Sequence, residues 1–373
     1  MGDTVRFGAA EARKQKRSPL QTLWGVVLRV APASNLLGGL MLMTSFFLPH
    51  HAQPAQSASA SARPAAVASA QPVMTAVQKQ QAENTLAEIR DLLVTLGWTL
   101  GGAGLLAGKI NVMAAGKTGK QPSMVLGGLW GMGVATWLMF DPTLPVRTAF
   151  LTASALLISG YANKVRNDFG LKNGEKPREF DMRPLYSPKV LRALTGDENA
   201  SGAKLLRAWV KQLKAMSLFV AEDHALMVKD SGKAIARFVR NPKTNFKPRE
   251  WLKPSALQNR LGAMLIYAGG VPLLIMNGNT SAVEQAAHAL IATGSLTADL
   301  SLFAVGKEKK GALGKAMMVG VLATNAGIAG FNTTAGAGLS MTGNATVDYY
   351  FAKEAERDES APDSSQESAQ DSD

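Results

Sequence analysis

The sequence predicts an all-α, polytopic integral membrane bundle, with about eight spans arranged as two four-helix units. Three observations carry that expectation. Stretches almost free of charge recur in series, at 30–47, 92–108, 124–140 and 148–163, then at 261–275, 286–305 and 316–346. They are rich in Gly, Ala, Leu, Met and Thr, a composition common in membrane helices. The basic residues lie in blocks between them, and mean hydropathy comes to only +0.02 because apolar and charged blocks cancel.

Taken in order, residues 1–34 form a basic N-terminus, with six Lys/Arg against two acids. The first membrane unit, 35–163, opens with a short apolar segment at about 35–49. That segment has two readings, a retained helix or the apolar core of a secretory signal peptide ending near Ala52. An Ala/Ser/Pro-rich linker at 50–87 cannot bury a core, and its low-complexity portion, 52–72, reads as flexible. Residues 75–91 are polar and helix-favouring, and extend the next helix beyond the bilayer. Leu92–Ala115 reaches the ~20 apolar residues needed to cross the hydrocarbon, interrupted only by Lys109. Ser123–Phe140 is near the minimum length and Thr148–Ala162 is short.

Residues 164–258 form a basic domain holding twenty Lys/Arg against ten acids. Its 170–200 portion, with three prolines and several charges, reads as an irregular connection. Within 203–216, Leu205, Leu206, Trp209, Val210, Leu213 and Met216 recur at helical spacing among lysines and arginines. Such a helix either lies on an anionic lipid leaflet or packs on the rest of its domain. The second membrane unit spans 259–352. An acidic tail follows at 353–373, with eight Asp/Glu against two Lys/Arg, and reads as disordered.

The two units show a faint internal repeat. An offset of 190 residues lays Ala114–Lys120 on Ala304–Lys310 and Ser123–Phe140 on Leu313–Gly330. Upstream, Asn35-Leu-Leu-Gly-Gly resembles Asn259-Arg-Leu-Gly-Ala at an offset of 224. The positive-inside rule gives an independent threading. With the N-terminus in the cytoplasm, Lys109, Lys117, Lys120, the 164–258 domain and Lys307–Lys315 all fall on the cytoplasmic side. The linker 50–87 and the turns near Asp141 and Asn277 fall outside. Both termini are then cytoplasmic, and the charge asymmetry points to a bacterial inner membrane.

The search for chemistry excludes more than it finds. Without cysteine there is no thiol nucleophile or Cys-ligated metal. Gly116-Lys117-Thr118 lacks the first glycine of a phosphate loop, since residue 111 is Asn111, and it follows an apolar helix rather than a strand. No catalytic constellation, cofactor or metal is implied, and His50–His51 reads as an interfacial pair. The net charge of +12 invites a nucleic-acid partner, but threading already accounts for it. The informative polar residues are Glu284, His288 and Asp299 in one helix, with Lys109 at the position equivalent to Asp299 and Asn325 in the next helix. Glu284 and His288 are one turn apart, and eleven residues bring Asp299 back to the face of His288. An Asp299–Lys109 pair across the units is one arrangement, and Asn332, Asn344 and Asp348 add polarity further on. Gly97/Gly101, Gly104/Gly108, Gly127/Gly131 and Ala323/Gly327 form small-xxx-small faces that let helices approach in lipid, within a bundle or a homo-oligomer.

These features predict a non-enzymatic, transporter- or channel-like membrane protein for a small solute or ion. The alternative is a structural subunit of a membrane assembly such as a secretion or envelope complex.

Overall fold

The computed structural model describes residues 19–50, 76–245, 247–276, 281–309, 311–330 and 333–360. Most of the 50–87 linker, His51, Asn332, and the tail beyond Ser360 lie outside these. All regular structure among the described residues is helical. The first quartet is α1 (Pro19–Phe46), α2 (Ala76–Thr118), α3 (Pro122–Leu138) and α4 (Leu144–Phe169). Then come α5 (Arg183–Tyr186), α6 (Pro188–Thr195), α7 (Gly202–Arg240), α8 (Pro242–Asn245) and α9 (Pro248–Trp251). The second quartet is α10 (Ala256–Met276), α11 (Ser281–Glu308), α12 (Ala312–Ala329) and α13 (Thr334–Ser360).

Prolines start several helices where their missing N–H costs nothing, as at Pro122 and Pro145 in the first turns of α3 and α4. Two expected boundaries change. Helix α1 begins at Pro19, inside the segment read as a basic N-terminus, and runs through Pro32 without a break. Helix α13 runs on to Ser360, eight residues into the acidic tail, because Lys353, Glu354, Ala355, Glu356 and Arg357 are helix-favouring.

Among the described residues, three helices are long and apolar enough to cross a membrane: α2, α10 and α11. The expectation of about eight spans is met only in part. At 17 residues α3 falls short of ~20, and α12 has 18 with Lys315 among them. Helix α4 carries Arg147, Lys164 and Arg166, and α13 carries Asn344 and Asp348.

The eight long helices other than α7 contact one another in a closed order. It runs α1, α2, α3, α4, α10, α11, α12, α13 and back to α1, with α13 also against α2. Their burial is inverted relative to a water-soluble bundle. Leu36, Leu40, Leu92, Leu129, Trp137, Ile275, Leu296 and Leu322 are exposed, while Asn35, Asn111, Thr148, Asn163, Asn259, Asp299 and Asp348 are buried. An apolar exterior around an interior that also holds polar and ionisable groups is what a lipid solvent selects, and it supports membrane association.

Glycine sets the helix spacing. A Cβ on Gly38 of α1 would strike the Gly97 carbonyl oxygen at 2.6 Å and the Gly101 Cα at 2.7 Å. In the other quartet, Gly269 of α10 lies equally close to Ala287 and Ile291 of α11. Next along, Gly39 meets Gly338 and Thr342 of α13, and Gly270 meets Thr148 and Thr152 of α4. Asn35 of α1 lies against Gly104 of α2, and Ile266 of α10 lies against Gly294 of α11.

Helix α7 is held to the bundle by its central acidic residues. Asp223, buried, receives hydrogen bonds from Arg178 Nε at 2.7 Å and Ser123 Oγ at 3.3 Å. Burial works against the Arg178 guanidinium, yet Asp223 and Glu222 outweigh it and raise its pKa above the ordinary arginine value. Asp230 pairs with Arg260, which also donates to Asn163 Oδ1 at 3.3 Å. Trp209 and Gln212, in the 203–216 segment, donate to the carbonyls of Leu185 and Asp181. That segment thus packs on α5 and its approach, yet Leu206 and Val210 stay exposed.

Gly38→Ala is expected to lower thermal stability in detergent by about 1–3 kcal/mol, since overpacking forces two backbones apart. At Gly133 nothing lies within 4 Å, so Gly133→Ala is expected to leave stability unchanged or raise it by about 0.5–1 kcal/mol through helix propensity. Paired unfolding curves of the two variants check both signs.

Candidate functional site

Inside the ring of helices lies a cavity of about 130 Å³. Its wall comes from α2, α3, α4, α10, α11, α12 and α13. Along α2 the lining runs from Trp98 to Val112, about 21 Å at 1.5 Å per residue, so the space is elongated along the helices. Most of the wall is apolar. The ionisable groups on it are Lys109, Arg147, Asp299, Asp348 and the phenol Tyr161, joined by Ser154, Ser295, Thr324, Ser340 and Asn344.

Each charged group is held by a different means. Lys109 is 4% exposed, with its ammonium 4.9 Å from the centre of the Phe150 ring. It forms no ion pair among the described residues. Gly131 of α3 admits its stem, since a Cβ there would lie 3.0 Å from Lys109 Cγ. Asp348 of α13 is 3% exposed and packs on Gly108 of α2, where a side chain would displace its carboxylate. Lys109 acts on Asp348 electrostatically, but Asp348 Oδ2 has no hydrogen-bond partner. Asp299 accepts a hydrogen bond from Asn325 Nδ2 at 2.7 Å. Arg147 stacks on Trp98, its guanidinium carbon 4.6 Å from the ring centre.

Of the residues expected to form a site, Lys109, Asp299 and Asn325 come together around this cavity, with Asn325 reaching it through Asp299. The expected Asp299–Lys109 pair does not form. Asp299 is bonded to Asn325, and the carboxylate acting on Lys109 is that of Asp348. Glu284 and His288 stand apart: they pair with each other at 3.7 Å and do not line the space. His288 and Asp299 share a helix face, but eleven residues separate them by about 16 Å along the axis. Arg147 and Ser154 escaped the sequence reading because each is one polar residue in an otherwise ordinary apolar stretch. Asp348 stood out only as added polarity, since its neighbour Gly108 is remote in sequence.

The six packing glycines have closer roles than a generic small face. Gly97, Gly101 and Gly104 meet Leu42, Met341 and Asn35, Gly127 meets Leu157, and Gly108 and Gly131 seat Asp348 and Lys109. All six are occupied within the chain, which leaves none for a contact with another copy.

No family model, curated protein or solved structure matches this chain. Lys109→Met is expected to keep or raise the melting temperature in detergent, because an apolar side chain of similar length removes a buried charge that makes no ion pair among the described residues. A fall of several degrees would show instead that the ammonium holds the helices together.

Proposed function

We propose that this is a multi-pass membrane protein, transporter- or channel-like, that carries a small polar solute through the centre of its eight-helix ring. The observation that carries this reading is the central cavity with Lys109, Asp299 and Asp348 buried on its wall. A charged side chain at the centre of a membrane helix costs about 2.5–3.5 kcal/mol on the insertion scale. Charges there mark ion or substrate paths more often than packing.

Eight spans and an internal duplication belong to the same proposal. The helix order within the two quartets is the same, and Gly38–Gly39 of the first is answered by Gly269–Gly270 of the second, 231 residues on, against partner residues 190 residues on in α11. The cavity lining repeats it: Leu105 with Ser295, Lys109 with Asp299, Val112 with Leu302, Ser154 with Asn344, and Leu157 with Val347. Four helices per unit make the repeats parallel, related by an axis along the membrane normal, and transporters built so bind their substrates where the repeats meet. The side of the ring bearing Lys117, Lys120, α7 and Lys307 is then cytoplasmic, as the positive-inside rule requires.

Helix α7 is proposed to rest on the anionic cytoplasmic leaflet. Leu206, Val210, Val228, Ile235 and Val239 are exposed and fall within about 60° of one another around the helix. Lys204, Lys211, Lys229 and Lys233 flank that stripe on the side away from Asp223 and Met227, which face the bundle. An apolar stripe beside a basic face is the signature of an interfacial helix.

The absence of cysteine makes accessibility mapping clean. Single cysteines at Ser154 and Asn344, in membrane-embedded full-length protein, are expected to react with small water-soluble thiol reagents, and one at lipid-facing Leu296 is not. A structural subunit with a dry interior would leave 154 and 344 unreactive. Reporter fusions at 65, 143 and 280 should read as external and at 200 as cytoplasmic. A cytoplasmic signal at 65 or 143 would break the threading.

A further inference from the structure

We infer that the solute is a small zwitterion, an amine and a carboxylate on one short apolar body, as in an aliphatic or aromatic α-amino acid. This rests on the cavity being the solute site proposed above, and it adds the ligand's chemical class.

The two sides of the cavity carry opposite charge. On the first quartet Lys109 and Arg147 supply the cations. On the second, Asp299 and Asp348 supply the carboxylates, at positions equivalent to Lys109 and to apolar Ile158. Lys109 and Asp348 are neighbours, and both are more than nine-tenths buried. Even so, Lys109 makes no ion pair among the described residues, and Asp348 Oδ2 accepts no hydrogen bond. Leaving such groups unsatisfied is costly, and a ligand that meets both recovers that cost.

The charge arrangement discriminates among solutes. A simple cation would meet the carboxylates but also the Lys109 ammonium, and a simple anion would meet Lys109 but face two carboxylates. An amino-acid headgroup presents its carboxylate and ammonium side by side, so the first can lie on Lys109 while the second lies on Asp348. Around them Val112, Phe150, Leu302 and Val347 form an apolar wall for the side chain. The volume, about 130 Å³, is somewhat below that of an engineered cavity known to hold benzene, about 150 Å³, so a short aliphatic amino acid fits it more readily than an aromatic one.

The test uses purified full-length protein in lipid nanodiscs, with leucine, methionine and phenylalanine as probes. Beside them stand leucinamide, which lacks the carboxylate, and N-acetylleucine, which lacks the ammonium. At least one zwitterion is expected to bind, with its leucinamide- or N-acetyl-type derivative at least tenfold weaker. Lys109→Met should remove the preference over the amide, and Asp348→Asn the preference over the N-acetyl form, with helical circular dichroism unchanged in both. The inference is overturned if none of the zwitterions binds, or if the wild-type protein binds a derivative as tightly as its parent. Uptake into proteoliposomes separates the two levels. Zwitterion binding without uptake removes the transport reading and leaves the ligand class, whereas uptake of a solute lacking one charge does the reverse.

Discussion

The constraint on which the architecture depends is the close backbone crossing at Gly38–Gly39 and at Gly269–Gly270. Each pair touches two neighbours at once: Gly38 faces α2 while Gly39 faces α13, and Gly269 faces α11 while Gly270 faces α4. Adjacent glycines point about 100° apart on a helix, so one pair sets two helix contacts. In lipid, helices gain little from hydrophobic burial and associate through close packing, which small residues permit. These two crossings close the ring, because they join each quartet's first helix to its own second helix and to the other quartet's last.

The cavity follows from the same geometry. Where glycine lets backbones meet, side chains are expelled from the contact, and longer ones on adjoining turns must project elsewhere. Lys109 and Asp348 do so into the centre. Their nearest supports are again glycines, Gly131 under the lysine stem and Gly108 against the carboxylate. The glycine excess that looks like generic membrane composition thus has a specific task at these positions. It holds two polar side chains inside a bundle whose outer surface is apolar.

Much of this was legible in the sequence, and the rest was not for identifiable reasons. Helical class and the long second helix follow from charge-free stretches at helical length, which are local properties. Lys109, Asp299 and Asn325 stand out as polar residues in apolar helices, and they do gather. The Glu284–His288 pair stands out in the same way, yet sits elsewhere, since a shared helix face says nothing about depth along the axis. Asp348 gains meaning only from Gly108 and Lys109, which lie more than 200 residues away.

Helix α7 joins the ring to the basic segment by a buried polar contact instead of an apolar one. Asp223 lies between Arg178, in the connection after α4, and Ser123, at the start of α3, while Asp230 reaches Arg260 on α10. A buried carboxylate is tolerated only where hydrogen bonds and a counter-charge replace water, so these partners must arrive together. Any change in the relative positions of α3 and α10 must therefore be felt by α7 through Asp223 and Asp230, which are fixed two turns apart on one rigid helix. If the two quartets move against each other as a solute passes, α7 spans the junction and must either tilt with one quartet or release one of its two anchors. Its placement makes the basic segment a mechanical part of the ring rather than a domain hung from it.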